Sequence, residues 1–329
     1  MKKMGLLILS VCMLLVVMAG CADDTPAPAA GEVRDVSDQL YIHVSALSAL
    51  DYFYDHMLGT EIVGRELGVQ VDYVGPADLD MNAMIAAFEA SIARNPQGIV
   101  VVGFDDSLVP IINRAVAQGI PVVTLDADLP QSDRIAFVGT GNFNAGYLGG
   151  RKLAELVGGS GEVALMTRPG QSNLEERIAG YQAALANYPG IEIVAIADTQ
   201  SDDVVAAQAA AALLVAHPNL AGIGCVEAAG GNGAATAVRE AGLAGQVKIV
   251  AMDRGNDVIN AIMEGIISAS VAQQTALMPY YGIQILFNLY NSNVEITSNN
   301  AAAGVLGVPN MIDTGAVIVD ASNAQYFLR

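Results

Sequence analysis

Two aspartates occupy matching positions in the sequence, each directly after an apolar run. Asp126 follows the run 121–125, and Asp253 follows the run 247–252. Runs that are mostly Val, Ile, Leu and Ala, without polar alternation, predict strands that are buried on both faces. Ligands of open α/β sheets bind outside the carboxyl ends of the strands, so the two carboxylates are predicted to converge on one ligand from opposite walls of a cleft. The alternative is that each Asp is an N-cap or turn residue.

The elements that must position these aspartates occur twice along the chain. Residues 95–102 contain a turn and an apolar strand, which precede a helix and the run that ends before Asp126. Residues 217–223 and the run before Asp253 repeat that plan. Alternation of strands and helices predicts a parallel, doubly wound sheet. The chain is therefore predicted to be an α/β protein with two similar Rossmann-like lobes.

The composition narrows the function classes. The chain has 329 residues, of which 53% are hydrophobic and 15% charged, and this excludes a disordered protein. There are 34 acidic residues against 15 Lys and Arg, a net charge of -19, so a nucleic acid partner would be repelled. Cys225 lies in an apolar run and is predicted to be a buried hydrophobe. We expect a monomer without intramolecular disulfides.

The first 21 residues predict export. Two lysines precede an uncharged apolar stretch, and the small residues 19–20 come directly before Cys21. This pattern resembles a bacterial lipoprotein signal, which implies that residues 1–20 are removed and that Cys21 carries lipid. Residues 21–38, rich in Ala, Pro and Asp, are predicted to be a solvated tether. An uncleaved membrane anchor is the alternative, and in both cases the fold lies outside the cytoplasm at the membrane.

The sequence weighs against enzymatic chemistry. Residues 231–233 read Gly-Asn-Gly and have Asp253 twenty residues further on, as in a dinucleotide-binding fingerprint, but Thr236 and Glu227 do not fit that motif. An exported oxidoreductase that uses NAD(P) is thus only a minor alternative. No Gly-x-Ser-x-Gly motif occurs, and the three histidines are too scattered for a metal site. We expect no cofactor, no metal and no catalytic residue.

From about residue 40 to the C-terminus, the chain resembles the type I periplasmic solute-binding proteins. The similarity is to the ribose-binding branch, which serves ATP-driven (ABC) sugar importers. No single motif is decisive, but their order along the chain is specific. The motifs are residues 119–126 (Gly-Ile-Pro-Val-Val-Thr-Leu-Asp), 139–142 (Gly-Thr-Gly-Asn) with Gly146, 176–181 (Glu-Arg-Ile-Ala-Gly-Tyr), Met252-Asp253 and Ala272-Gln273.

This resemblance implies two lobes joined by three crossovers, near Thr140, Gln274 and Asp313. The lobes are then expected to comprise residues 39–140 with 274–312, and residues 141–273 with 313–329. It also implies that Ser45, Asp126, Asp253 and Gln273 hydrogen-bond the ligand and that Tyr52 or Phe53 stacks on a sugar ring. For Tyr52 and Phe53, ordinary helix packing is an equally good interpretation.

The chain departs from the ribose-binding pattern at several cleft positions. Ribose binders have an Arg directly after the first aspartate, where this chain has Ala127. A second cleft Arg is replaced by Glu175, and Gly103 and Glu227 stand near positions of cleft Asn residues. Arg254 is expected to supply a guanidinium from the opposite wall. The ligand set, which includes Glu175, Glu227 and Arg254, is therefore not that of ribose.

The resemblance implies a receptor that captures a small neutral sugar or polyol by hinge closure and presents it to the permease of an ABC importer. A transcription regulator with the same core would need a helix-turn-helix head, which is not found in the sequence. A sensory role is the main alternative: the same receptor feeding a chemoreceptor or a sensor kinase.

Overall fold

A computed structural model describes residues 35–49, 51–292 and 294–328. The predicted signal peptide, Cys21 and nearly all of the predicted tether lie outside the described residues. Within those ranges, no helix has both the length and the apolar character that crossing a membrane requires.

The folded part alternates strands with helices throughout. The strands are β1 (Leu40–Val44), β2 (Gln70–Val74), β3 (Gly98–Val102), β4 (Val122–Leu125), β5 (Ala136–Gly139), β6 (Ser160–Thr167), β7 (Gly190–Asp198), β8 (Leu220–Cys225), β9 (Lys248–Met252), β10 (Ala269–Gln273), β11 (Met311–Asp313) and β12 (Ala316–Asp320). The helices are α1 (Asp51–Leu67), α2 (Met81–Ala93), α3 (Val109–Ala117), α4 (Asn142–Leu156), α5 (Ser172–Leu185), α6 (Asp203–Ala216), α7 (Ala228–Glu240), α8 (Asn256–Met263) and α9 (Leu277–Asn291).

The strands form two six-stranded sheets with equivalent topology. The first has the order β11-β5-β4-β3-β1-β2 and the second the order β12-β10-β9-β8-β6-β7. Strand β4 is third in the first order, and β9 is third in the second. Asp126 and Asp253 therefore follow equivalent strands. One difference lies at the edge, where β11 runs parallel to β5 but β12 runs antiparallel to β10. The predicted fold class, two doubly wound α/β lobes, is confirmed.

Helices cover both faces of each sheet, which explains the uninterrupted apolar strands. In β3, Val100 packs with residues of α9, whereas Ile99 and Val101 pack with residues of α2 and α3. In the second sheet, α4 and α5 contribute to one core, and α6, α7 and α8 contribute to the other. Each β3 side chain that faces a helix is fully buried because neither face of the sheet meets solvent there.

The glycines of the dinucleotide look-alike lie inside helix α7 and not in a phosphate-binding loop. A Cβ atom on Gly231 would come within 2.7 Å of the Cβ of Ala251, and one on Gly233 within 2.5 Å of Ala206. These glycines therefore allow α7 to pack closely against β9 and α6. This packing role removes the sequence argument for an NAD(P)-dependent enzyme.

The chain passes between the two sheets after β5, after β10 and after β11, and hydrogen bonds connect the three passages. The backbone N–H of Gly141 donates to Asp313 Oδ1 at 2.7 Å, and the N–H of Thr314 donates to the carbonyl of Gly139 at 2.8 Å. Gln274 Nε2 donates to the carbonyl of Thr314 at 2.6 Å. The three connecting segments thus lie side by side between the sheets.

Candidate ligand-binding cleft

Asp126 and Asp253 share an unusual backbone conformation. Their φ angles are 66° and 68°, in the left-handed region that non-glycine residues seldom occupy. Each donates its backbone N–H to the next strand: Asp126 to Val138 at 3.0 Å and Asp253 to Val271 at 2.9 Å. Aspartate tolerates this conformation better than most residues, but it still costs free energy. The same strained geometry at both strand ends points to a functional role.

Asp126 is held by a tyrosine of the same lobe. Tyr52, on α1, donates its hydroxyl to Asp126 Oδ1 at 2.8 Å. Burial raises the pKa of Asp126 to about 6, although the Tyr52 hydrogen bond and the charge of Arg177 both act to lower it, and Asp253 raises it further. Burial also raises the pKa of the Tyr52 phenol, so this group remains a donor at neutral pH. The first wall of the cleft therefore presents a carboxylate whose charge depends on pH near 6.

Asp253 is held by an amide that a buried arginine orients. Gln273 Nε2 donates to Asp253 Oδ1 at 2.8 Å, and the other end of the same amide, Oε1, accepts from Arg177 Nη2 at 3.2 Å. Because Arg177 can only donate, it fixes which end of the amide faces Asp253. Burial raises the pKa of Asp253, while Arg177 and the Gln273 hydrogen bond act to lower it.

Arg177 ties this second wall to the connection between the sheets. Its side chain is 6% exposed. Its Nε donates to Asn142 Oδ1 at 2.9 Å, at the start of α4, and its Nη1 donates to the carbonyl of Val226 at 3.0 Å. Arg177 and Asn142 belong to two of the family motifs in the sequence, residues 176–181 and 139–142, but the motifs did not show that the two side chains meet.

Two cavities open between the lobes. One, of about 500 Å³, is lined by residues that include Tyr52, Asp55, Asn232, Asp253, Arg254 and Gln273. The other, of about 850 Å³, is lined by residues that include Gly103, Asp126, Thr140, Asn142, Gln171 and Glu176. Both volumes suit a small ligand, and each lining includes residues of both lobes. The hydrogen bond from Tyr52 to Asp126 joins a residue of one cavity to a residue of the other.

Ser45 and Phe53 do not line either cavity. Ser45 is fully buried, and its Oγ accepts from the Tyr73 hydroxyl at 2.7 Å. Phe53 is 1% exposed and packs edge-on against the rings of His56 and Phe104. Of the two aromatic candidates, Tyr52 faces the cleft and Phe53 takes the helix-packing role. Direct ligand contact by Ser45 stays a prediction, since a hydroxyl that accepts from Tyr73 can still donate its own proton.

Glu175 and Glu227 also lie outside both cavities. Glu175 is exposed and accepts from the backbone N–H of Gly170 at 3.1 Å. Glu227 is the N-cap of α7, accepting from two backbone N–H groups of the first turn at 3.0 Å and from the Thr199 hydroxyl at 2.7 Å. Both carboxylates are thus engaged in local structure, a role that acidic residues at helix starts commonly have.

Arg254 lines the smaller cavity but is bound by protein groups. Its guanidinium forms an ion pair with Asp55 of α1 and lies 5.9 Å from the ring centre of Phe327. Thr275 also donates to Asp55, at 3.0 Å. The sequence could have indicated Asp55 as a cleft residue, because it lies one helical turn after Tyr52. No motif or spacing in the sequence indicated Thr275.

The described residues contain no cluster of three or more His, Cys, Asp or Glu side chains that could hold a metal ion. His43 and His56 are fully buried, and burial lowers the pKa of both, that of His56 to about 3. Both imidazoles are therefore neutral at physiological pH. Cys225 is a buried free thiol whose pKa burial raises.

Residues 58–293 match the model of the family "periplasmic binding protein domain". An arabinose binding protein from Geobacillus stearothermophilus is 34% identical, with a TM-score of 0.84, over 89% of this chain and all of that one. A sugar-binding protein of a sugar ABC transporter from Bacillus halodurans is 36% identical, with a TM-score of 0.82, over 88% of this chain and all of that one. The D-allose-binding periplasmic protein of Escherichia coli is 27% identical over 80% of this chain and 91% of its own length. The chain therefore belongs to the type I periplasmic binding proteins, a family of solute receptors and not of enzymes.

Proposed function

We propose that this protein captures a small neutral sugar in the cleft between its lobes, as the receptor of an ABC importer. The observation that carries the proposal is the matched pair Asp126 and Asp253, which present acceptors for hydroxyl groups from equivalent strand ends of the two sheets. Carboxylates form strong hydrogen bonds with hydroxyl donors. The names of the relatives, an arabinose binding protein and an allose-binding protein, support the same ligand class.

The charge of the cleft favours a neutral ligand over a sugar phosphate or a sugar acid. Acidic side chains line both cavities, among them Asp55, Asp126, Asp253 and Glu176. Arg177 and Arg254 already bind protein acceptors. An anionic ligand would therefore be repelled by these carboxylates, and burial of its charge in a partly dry site is costly.

Closure about a hinge is the proposed capture step. Each cavity is lined by residues of both lobes, so neither lobe alone can surround a ligand. The three connections, near Thr140, Gln274 and Asp313, are the proposed hinge, and rotation about them changes the cleft without unfolding either core.

We propose that the protein lies at the outer face of a membrane. Relatives of this chain are named periplasmic, which supports a location outside the cytoplasm. We propose that Cys21 carries lipid and that residues 21–38 tether the fold beside its permease. Metabolic labelling with a fatty acid should tag the protein, and Cys21→Ala should abolish the label; a label that survives the substitution contradicts the anchor.

Calorimetry with a panel of sugars tests the binding function directly. The panel should contain arabinose, allose, xylose, ribose and ribose 5-phosphate. We expect at least one neutral sugar to bind and ribose 5-phosphate to bind more weakly than ribose. No binding by any neutral sugar, or tighter binding by the phosphate, would overturn the proposal.

Uptake of the sugar that binds separates transport from sensing. If the protein serves an importer, deletion of its gene should abolish ATP-dependent uptake of that sugar at low concentration. Normal uptake together with a lost chemotactic or transcriptional response would instead establish the sensory role.

A further inference from the structure

Three parts of the molecule meet at Asp55. The residue is 4% exposed and belongs to α1, which packs on the first sheet. It forms an ion pair with Arg254, which follows β9 of the second sheet. It also accepts from Thr275, on the connection between β10 and α9. Asp55 therefore contacts the opposite lobe and the connecting segment at the same time.

Close packing of α1 against the connecting segment strengthens this arrangement. A Cβ atom on Gly59, one turn after Asp55, would come within 2.0 Å of the carbonyl oxygen of Ala276. Only glycine allows the helix to approach that backbone so closely. The position of Asp55 relative to the connection is thereby fixed.

The face of α1 that carries Asp55 also carries Tyr52, since residues three apart lie on the same side of a helix. Tyr52 binds Asp126 of its own lobe, while Asp55 binds Arg254 of the other lobe. One helix face thus contacts both the ligand-binding aspartate of its own lobe and the loop that follows Asp253.

We propose that the Asp55–Arg254 ion pair is an interlobe clasp that stabilises the closed arrangement and so sets the affinity for sugar without touching the sugar. This inference rests on the proposed hinge closure. When the lobes separate, the pair breaks and both charges return to water. The clasp therefore acts on the equilibrium between open and closed forms, even in the absence of ligand.

Burial distinguishes the clasp from the ordinary surface ion pairs of this protein. The side chains of Arg254 and Asp55 are 25% and 5% exposed, whereas those of Arg239 and Glu264 are 54% and 58% exposed. Exposed pairs contribute little to stability, but a pair shielded from water is screened much less. Stacking on Phe327 further limits the freedom of Arg254. The exposed pair of Arg239 and Glu264 provides a matched control for the Asp55–Arg254 pair.

Small-angle scattering on the sugar-free protein tests the clasp. We expect Asp55→Asn and Arg254→Met each to increase the radius of gyration, with no further increase in the double variant. Arg239→Met should leave it unchanged. The charge swap that combines Asp55→Arg with Arg254→Asp should restore the wild-type radius. Affinity for arabinose, where arabinose binds, should fall about fivefold in either single variant, which corresponds to about 1 kcal/mol.

Wild-type radii of gyration in Asp55→Asn and Arg254→Met would overturn the clasp. If Asp55→Asn does not fold, Arg254→Met decides alone, because Arg254 lies on a loop outside the cores. The scattering result is independent of the ligand: enlarged radii with no sugar bound by the wild type would refute the proposed function and leave the clasp standing. Tight sugar binding with unchanged radii would refute only the clasp.

Discussion

The two lobes present the same aspartate in two different settings. Asp126 and Asp253 follow equivalent strands with nearly equal φ angles, 66° and 68°. Asp126 is bound by the phenol of Tyr52, a residue of helix α1 in its own lobe. Asp253 is bound by Gln273, which is itself bound by Arg177. The two lobes therefore share the backbone conformation at this point, while the side chains around it differ.

The two walls of the cleft differ in what controls the pKa of their aspartate. Among the influences that hold down the pKa of Asp253, the charge of Arg177 is the largest; for Asp126 it is the Tyr52 hydrogen bond. The second wall is therefore anchored to the core and to the lobe connection through a buried cation. The first wall relies on a neutral donor, which makes its charge state more sensitive to pH.

Removal of Arg177 should have the largest effect and should act mainly on the second lobe. Arg177→Met leaves Asn142, Gln273 and the Val226 carbonyl without their donor and Asp253 without a cation. Loss of one partner from a buried charged network costs about 3 to 5 kcal/mol. We expect the free energy of unfolding in urea to fall by that amount, with partial rescue by Arg177→Lys. Arg151→Met, on the exposed side of α4, is the control; an equal loss there would show that the effect is not specific.

Neutralising either aspartate should weaken sugar binding while leaving the fold intact. Asn tolerates the left-handed conformation, as Asn95 does in this chain, so Asp126→Asn and Asp253→Asn change charge without adding backbone strain. A hydrogen bond to a charged group is worth about 1.5 to 3 kcal/mol, so affinity should fall about ten- to more than hundredfold. Calorimetry measures this effect, with Asp198→Asn at the end of β7 as a matched control. Affinity within twofold of wild type would make that Asp a turn residue only.

Acidification should weaken binding through the first wall. The pKa of Asp126 is raised to about 6, so its neutral form is favoured in the folded protein between its ordinary pKa and about pH 6. The contribution of Asp126 to the free energy of unfolding therefore falls as the pH rises through that window. Sugar binding has the opposite dependence, because the hydroxyl donors of a sugar need the ionised carboxylate as acceptor. At pH 5 about a tenth of the carboxyl groups are ionised, so affinity should be about tenfold weaker than at pH 7.5. Asp126→Asn should reduce this pH dependence; an unchanged profile would assign it to another group.

The smallest effect is expected for the phenol of Tyr52. Tyr52→Phe keeps the ring in the cleft but removes the donor to Asp126. One neutral hydrogen bond is worth about 0.5 to 1.5 kcal/mol, so affinity should fall about two- to tenfold. Because that bond lowers the pKa of Asp126, the midpoint of the pH profile should also move upward. A midpoint that does not move would show that Tyr52 has no electrostatic influence on Asp126.

Much of the fold was predictable because it follows from local patterns. Continuous apolar runs such as β3 indicate strands buried on both faces, and the repeat of strand, helix and strand predicts two lobes with the same plan. The same repeat placed Asp126 and Asp253 at equivalent strand ends, which the structure reproduces. Glu175 and Glu227 were less predictable, since a helix cap and a ligand both select acidic side chains.

The sequence by itself determined the strands, the helices and the two aspartates that end matching strands, because those features depend on side-chain periodicity over a few residues. The tertiary structure alone decided which groups surround them. Tyr52 and Asp126 are 74 residues apart, Arg177 and Gln273 are 96 apart, and Asp55 and Arg254 are 199 apart. Contacts over such separations arise only when the sheets, helices and connections pack together, so no local pattern in the sequence encodes them.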